Sequence, residues 1–386
     1  MLRDVLIYIS AFVGVFAVSY YFLSLRALKK FKKRRDFKDS ELPSVSILIP
    51  AYNEQETIKR TINSALNLIY PRNKLEVIVI DDGSTDNTYE FANEIKSSRL
   101  RLYTKPNGGK AKALNFAIPK SNGKIVVTMD ADSYAEPDSL RKMVNFFTEE
   151  KVMCVTPSMI VYNPKGFWQK IQQAEYLVGV FLRKAFSAMN AMHVTPGAFS
   201  SYRKIFFERY GGFDEGGNIT EDMEMALRIQ ANGYTLRCSD ESVVYTNTPN
   251  TFKSVLLQRR RWYYGWIHNL ILYNRLFSKK YGHLGLIVLP VAVFSIMMSI
   301  ILTIFITSSA LGNVHRELIY LKSINFSFSS AFDLSFFTIE RFFYYFFSRP
   351  SSTILVLFLY SILLTFWWLL AAFYYFVIGK VKWGKQ

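Results

Sequence analysis

Three stretches without a charged residue, Val5–Leu25, Leu284–Val314 and Ser351–Gly379, bracket the middle of this chain and constrain its architecture most. Each reaches the roughly 20 residues that a helix needs to cross bilayer hydrocarbon. A water-exposed domain must therefore come from the interval between Pro43 and about Asn274, where charged residues are spread throughout. Arg26, Lys29, Lys30, Lys32, Lys33, Arg34 and Arg35 follow the first stretch, and Lys380, Lys382 and Lys385 follow the last. Cytosolic flanks of membrane spans are enriched in such cations, so both flanks are expected on the cytosolic side and the loop 315–350 outside. The aromatic run Phe336–Phe347 is broken by Glu340 and Arg341, which favours an interfacial helix over a fourth span. Met1–Asp4 lacks a charged leader and a small-residue cleavage site, so the first stretch is expected to stay as an anchor.

Within the interval, Val45–Pro50, Leu75–Ile80 and Lys124–Met129 are short β-branched runs. Each precedes a polar or glycine-containing turn and a helix-like stretch: Glu54–Leu68, Asp86–Ile95 and Pro137–Phe147. Strands alternating with helices predict βαβ units and a mostly parallel sheet. Ser84, Thr85 and Asp86 are expected to cap the helix that follows them. Two further helices, Gly166–Ala188 and Thr251–Tyr273, mix aromatic and basic residues and are expected to lie in the membrane interface. Cys154 and Cys238 form no spacing motif and the four histidines are scattered, so neither a disulfide framework nor a histidine metal site is expected.

Parallel strands deliver side chains from their carboxyl ends to a crevice. The first strand closes on Pro50-Ala51-Tyr52-Asn53-Glu54, offering a ring to stack on a nucleobase and a carboxylate to bind it. The second closes on Asp81-Asp82, whose carboxylates can accept from a base N–H or a ribose hydroxyl. Gly108-Gly109 followed by Lys110 and Lys112 offers backbone and cations to a nucleoside diphosphate, with a solvated surface loop as the alternative. Asp130-Ala131-Asp132 presents two hard oxygen ligands that, with diphosphate oxygens, complete a Mg²⁺ or Mn²⁺ shell.

In Thr220-Glu221-Asp222, Asp222 is a candidate general base for an acceptor hydroxyl, supported by Glu221. The alternative is a helix cap, with Thr220 or Asn218 capping and the two acids favouring the helix dipole. Gln258 and Arg261-Trp262 lie one turn apart on a shared helical face. Arg261 can clamp a diphosphate bidentately and Trp262 can stack on a sugar, while Arg259 and Arg260 also fit a basic membrane-surface helix. The net charge of +17 is concentrated beside the apolar stretches, which points to a lipid surface and a diphosphate rather than nucleic acid.

These five motifs, in this order, resemble family 2 glycosyltransferases, and within them the membrane-embedded branch of cellulose, chitin, hyaluronan and poly-N-acetylglucosamine synthases. The resemblance covers about Ser44 to Tyr273. It implies an α/β GT-A (Rossmann-like) catalytic domain, a nucleotide-sugar donor, usually UDP-linked, and inversion at the anomeric carbon. By the same resemblance Tyr52, Glu54, Asp81, Asp82 and Lys110 contact the nucleotide, Asp130 and Asp132 hold diphosphate and metal, and Asp222 is the base. Gln258, Arg261 and Trp262 take the diphosphate and acceptor end. Thr195-Pro196-Gly197-Ala198-Phe199-Ser200 resembles the segment beside the acceptor sugar, without the commoner Cys-Gly-Ser wording.

The expected layout is a transmembrane helix over 1–27, a basic cytosolic linker over 28–43 and a catalytic domain over 44–250. An interfacial helix over 251–280 and a membrane region over 281–386 follow, with spans near 284–311 and 351–379. The expected function is a multi-pass cell-membrane enzyme with a cytosolic catalytic domain that extends a β-linked polysaccharide. The alternatives are transfer of one sugar to a lipid-linked acceptor and a non-catalytic nucleotide-binding scaffold, against which the intact carboxylates argue.

Overall fold

The computed structural model describes residues 2–31, 36–302, 304, 305, 308 and 365–378. In chain order the elements are α1 (Leu2–Phe31), β1 (Val45–Ala51), α2 (Ile58–Leu66), β2 (Leu75–Asp81), α3 (Thr88–Asn93) and β3 (Leu100–Thr104). Next come α4 (Lys110–Ala117), β4 (Ile125–Thr128), β5 (Ser133–Ala135), α5 (Ser139–Val144), β6 (Val152–Val161) and α6 (Phe167–Ala188). The series ends with β7 (Ser200–Arg203), α7 (Lys204–Tyr210), α8 (Glu221–Ala231), β8 (Thr235–Thr246) and α9 (Phe252–Leu272).

The strands form one eight-stranded sheet in the order β3-β2-β1-β4-β7-β6-β8-β5. β1 and β2 are buried almost throughout, as β-branched runs covered on both faces must be. Ile47, Ile49, Val77 and Val79 pack into one apolar layer, and Leu48, Ile78 and Ile80 into the layer on the other face. β1 pairs in parallel with β2 and β4, and β2 with β3. The sheet is mostly parallel, as expected from sequence, and β6 also pairs in parallel with β8, but β7 runs antiparallel to β4 and β6, and β5 antiparallel to β8. The reversal has a local purpose. With Thr128 opposite Ser200, the start of β7 sits at the carboxyl end of β4, and the segment before it lies against the Asp130 turn.

α6 and α9 form over the expected ranges, and Thr251 caps α9 by accepting from the Ser254 N–H. A third apolar cluster joins α1, α6, α8 and the helix beginning at Leu284, with Tyr21 edge-on to Phe186. Tyr8–Arg26 and Leu284–Leu302 are long and apolar enough to cross a membrane. Of the third expected span only a shorter apolar helix, Thr365–Val377, lies among the described residues, and the interval 315–350 lies outside them. Trp368 of that helix stacks on Tyr263 of α9, with ring centroids 4.1 Å apart.

Candidate active site

Because β1, β2 and β4 run in parallel, the turns after them open at one edge of the sheet. There a cleft of about 160 Å³ is lined by Pro50, Ala51, Tyr52, Glu54, Asp82, Lys110, Asp130, Ala131, Asp132 and Arg261. Seven of the residues singled out from sequence, spread from position 52 to 261, thus share one wall.

Lys110, first residue of α4, is the electrostatic centre. Its Nζ lies 2.7 Å from Asp130 Oδ1 and 3.1 Å from Glu221 Oε1. Burial works against its charge, but the carboxylates of Asp130, Glu221 and Asp222 outweigh it and lift the pKa above the ordinary lysine value. Lys110 is therefore a fixed cation. A side chain at Gly197 would put its Cβ 2.5 Å from Lys110 Nζ and 3.0 Å from Asp130 Oδ2, so any other residue here must push these side-chain ends aside. Gly197→Ala is expected to dislodge Lys110 from Asp130 and raise the donor KM about tenfold, the effect of losing one charge-assisted contact. Steady-state kinetics on the variant checks this, and an unchanged KM would refute it.

Asp132 is pushed up to about 6 by burial and by the neighbouring Asp130 charge, against hydrogen bonding from Ser133 and the Lys110 charge. The Ser133 hydroxyl donates to its Oδ1 at 3.3 Å. A pair of crowded carboxylates whose repulsion Lys110 only partly offsets is the donor chemistry that a hard dication matches. Among the described residues no group of three or more His, Cys, Asp or Glu side chains could hold a metal. Asp130 and Asp132 therefore fit a Mg²⁺ or Mn²⁺ ion only where ligand oxygens complete its shell.

Asp82 lines the cleft and also holds the loop that follows β3. Its carboxylate accepts the Gly109 N–H at 2.7 Å, the Gly108 N–H at 3.1 Å and the Lys105 ammonium at 2.6 Å. The amides expected to cradle a diphosphate are thus turned onto Asp82, and the loop serves to hold Lys110 at the head of α4. Gly109, at φ +89°, permits that turn. Asp81 is buried and accepts from the Thr104 hydroxyl at 3.0 Å, away from the cleft wall.

Thr220 occupies the N-cap position of α8 without capping it, contrary to the capping role expected for it. Its hydroxyl instead accepts from Asn269 Nδ2 at 2.9 Å, because α9 packs directly against it. Asp222 accepts the Met223 N–H at 2.8 Å, and its backbone carbonyl accepts the Thr195 hydroxyl at 2.7 Å. Burial and the adjacent Glu221 push the Asp222 pKa up to about 6, opposed by Lys110, the Met223 N–H and Arg261. Glu221 itself is tied to Lys110.

The remaining sequence candidates divide. Arg261 reaches the cleft wall, whereas Gln258 Oε1 is buried and Gln258 is not part of that wall. The Trp262 ring lies 4.2 Å from the Arg259 guanidinium. Arg259 is buried and paired with Glu175 of α6 at 2.6 Å, so it is an internal tie between helices and not a membrane-surface cation. Ala198 and Phe199 were expected at the acceptor, but both side chains sit in the apolar core, leaving Gly197 as that segment's approach to the cleft. Sequence reasoning missed Gly265 and Asn269, whose small or polar character inside otherwise apolar surroundings is the only local signal.

Residues 46–211 match the family model described as Glycosyl transferase family 2. The chain is 32% identical over 251 residues to a beta-monoglucosyldiacylglycerol synthase of Nostoc sp., covering 62% of this chain and 53% of that protein. It is 30% identical over 268 residues to a poly-beta-1,6-N-acetyl-D-glucosamine synthase of Staphylococcus aureus strain COL, covering 67% and 64%. The matches thus span between half and two thirds of these relatives. A mannosyltransferase from Pyrobaculum calidifontis, solved in complex with GDP-Man and Mn²⁺, has the same fold: TM-score 0.66 at 22% identity, over 97% of this chain and 98% of that one.

Proposed function

Since residues 46–211 form a glycosyltransferase family 2 domain, we propose that the chain moves a sugar from a nucleotide-sugar donor, a UDP-sugar foremost, onto a glycan acceptor and so extends a β-linked polysaccharide. One observation carries this reading. Asp130, Asp132, Lys110 and Arg261 share a wall of one cleft, and Lys110 links it to the acidic start of α8. That is the layout needed to hold a diphosphate leaving group on one side of a reacting carbon and a base on the other.

The steps follow from the groups. Tyr52 and Glu54 line the cleft and are given the nucleoside, and Lys110 and Arg261 are given the negative charge that grows on the departing diphosphate. Asp222 takes the proton of the acceptor hydroxyl as its oxygen bonds to C1 and the bond from C1 to the phosphate oxygen breaks, inverting that carbon. A Mg²⁺ or Mn²⁺ ion held by Asp130 and Asp132 would supply further neutralisation of the diphosphate. The nucleotide sugar and ion bound by the Pyrobaculum protein support this donor class.

Tyr8–Arg26 and Leu284–Leu302, each long and apolar enough to cross a membrane, support a place in the cell membrane, and the cations after the first favour a cytosolic catalytic domain. A second reading, transfer of one sugar to a lipid acceptor, draws support from the stacking of α9 on an apolar helix, which gives the acceptor side an apolar neighbour. The two readings separate on product size. Protein in lipid nanodiscs with Mn²⁺ and labelled nucleotide sugars should give a high-molecular-weight ladder without added lipid acceptor. A single-sugar adduct formed only with such a lipid would replace the polymer reading, and no turnover of any donor would overturn both.

A further inference from the structure

The helix that carries Gln258–Trp262 and the turn that carries Asp222 are joined by a buried polar lock. Gln258, Trp262, Gly265 and Asn269 recur at the spacing that aligns residues along one face of a helix. Gly265 and Asn269, on this face of α9, meet Thr220. A side chain at Gly265 would place its Cβ 2.1 Å from Thr220 Oγ1 and 2.4 Å from Thr220 Cγ2, so Thr220 is seated in the notch that the glycine leaves. One turn on, Asn269 is fully buried. Its amide donates to Thr220 Oγ1 at 2.9 Å, and its carbonyl oxygen accepts from Asn218 Nδ2 at 2.7 Å. Asn218 Oδ1 in turn accepts the Thr220 N–H at 3.1 Å. On the opposite side of the same turn the Thr195 hydroxyl fixes the Asp222 carbonyl, and Tyr202 donates to Thr195 at 3.0 Å. Buried polar groups satisfied only by one another hold a single geometry, because any slip leaves several of them unpaired.

We propose that Asn269, through Thr220 and the notch at Gly265, is a positioning residue that fixes the base Asp222 relative to the acceptor-facing strip of α9. The lock determines whether the proton acceptor and the incoming hydroxyl are in register. None of its residues lines the donor cleft. Loosening it therefore costs transfer while leaving donor binding intact, and it gives water access to a donor that is still held. This rests on the sugar-transfer reading above.

The test measures three quantities for wild type, Asn269→Ala and Thr220→Val: donor KM, kcat for transfer, and the ratio of donor hydrolysis to transfer. Displacement of reacting groups by about an ångström costs up to ~10²-fold, so both variants should lose about ten- to a hundredfold in kcat. Donor KM should stay within about twofold and the hydrolysis ratio should rise, because the diphosphate contacts are untouched. Thr220→Val keeps the shape in the notch and removes only the hydroxyl, so it carries the test should Asn269→Ala fail to fold. If Asn269 acts through Thr220, the double variant should be no worse than either single one. Additive losses, or losses with an unchanged hydrolysis ratio, would overturn the proposal. Absence of donor turnover in wild type would instead defeat the underlying reading.

Discussion

Asp222→Asn is expected to lower kcat for sugar transfer by about 10³-fold, the scale of losing a general base, with donor KM nearly unchanged. The carboxylate is pushed up to about 6 by burial and by Glu221, so it is protonated and idle in mild acid and ionised above. Wild-type kcat should therefore climb with pH through about 6 and level off, and the residual activity of the variant should lack that limb. The sign of the stability effect is the reverse of a simple lesion. A carboxyl whose pKa rises on folding binds its proton more tightly in the fold than in the unfolded chain, so above about pH 6 its ionisation weakens the fold. The neutral amide escapes that penalty, and the Tm of the variant near neutral pH should be no lower than that of wild type. Retention of more than about a tenth of wild-type kcat would take the base role away from Asp222, because a base of this kind supplies at least ~10²-fold.

Asp82→Ala should be the most damaging change outside the reacting groups. It strands the Gly108 and Gly109 N–H groups, which donate to this one carboxylate, and leaves the Lys105 ammonium with the Pro106 carbonyl alone. These donors are half-buried, and losing a shared charged acceptor costs up to about 1–3 kcal/mol per hydrogen bond, so the loop should give up its geometry. Lys110 follows that loop directly, so kcat/KM should fall by about 10²-fold or more, with nucleoside-diphosphate affinity weakened far more than nucleoside affinity. Calorimetric titration with both ligands distinguishes the outcomes. Equal weakening would return Asp82 to a direct contact with the nucleoside.

The parallel half of the fold was legible because β1, β2 and β4 are β-branched runs buried on both faces, and their closing acids stand next to them in sequence. β8 was not: Arg237, Asp240 and Glu241 interrupt its apolar pattern, and their side chains find room in a strand that borders α6 and the sheet's far edge. β7, four residues long, carries too little pattern of its own. The motifs were legible as chemistry, yet their partners were not. Asp82 meets a loop 26 residues on, and Thr220 meets a side chain 49 residues on. No local propensity encodes either meeting. Phe199 shows the converse, a residue adjacent to a motif whose own side chain belongs to the core.

The reversal of strand direction between β4 and β7 has a consequence for how such a domain diversifies. Apart from Arg261, the donor-side residues lie in the chain up to Asp132, while the start of α8 and the strip on α9 belong to segments that come after the reversal. Substitutions that retune nucleotide choice and those that retune acceptor choice thus accumulate on separate stretches of chain. Exchanging everything after β5 between homologues should transplant acceptor preference as a block. Lys110 and Gly197, which meet across the seam, are the pair that any such chimera must keep together.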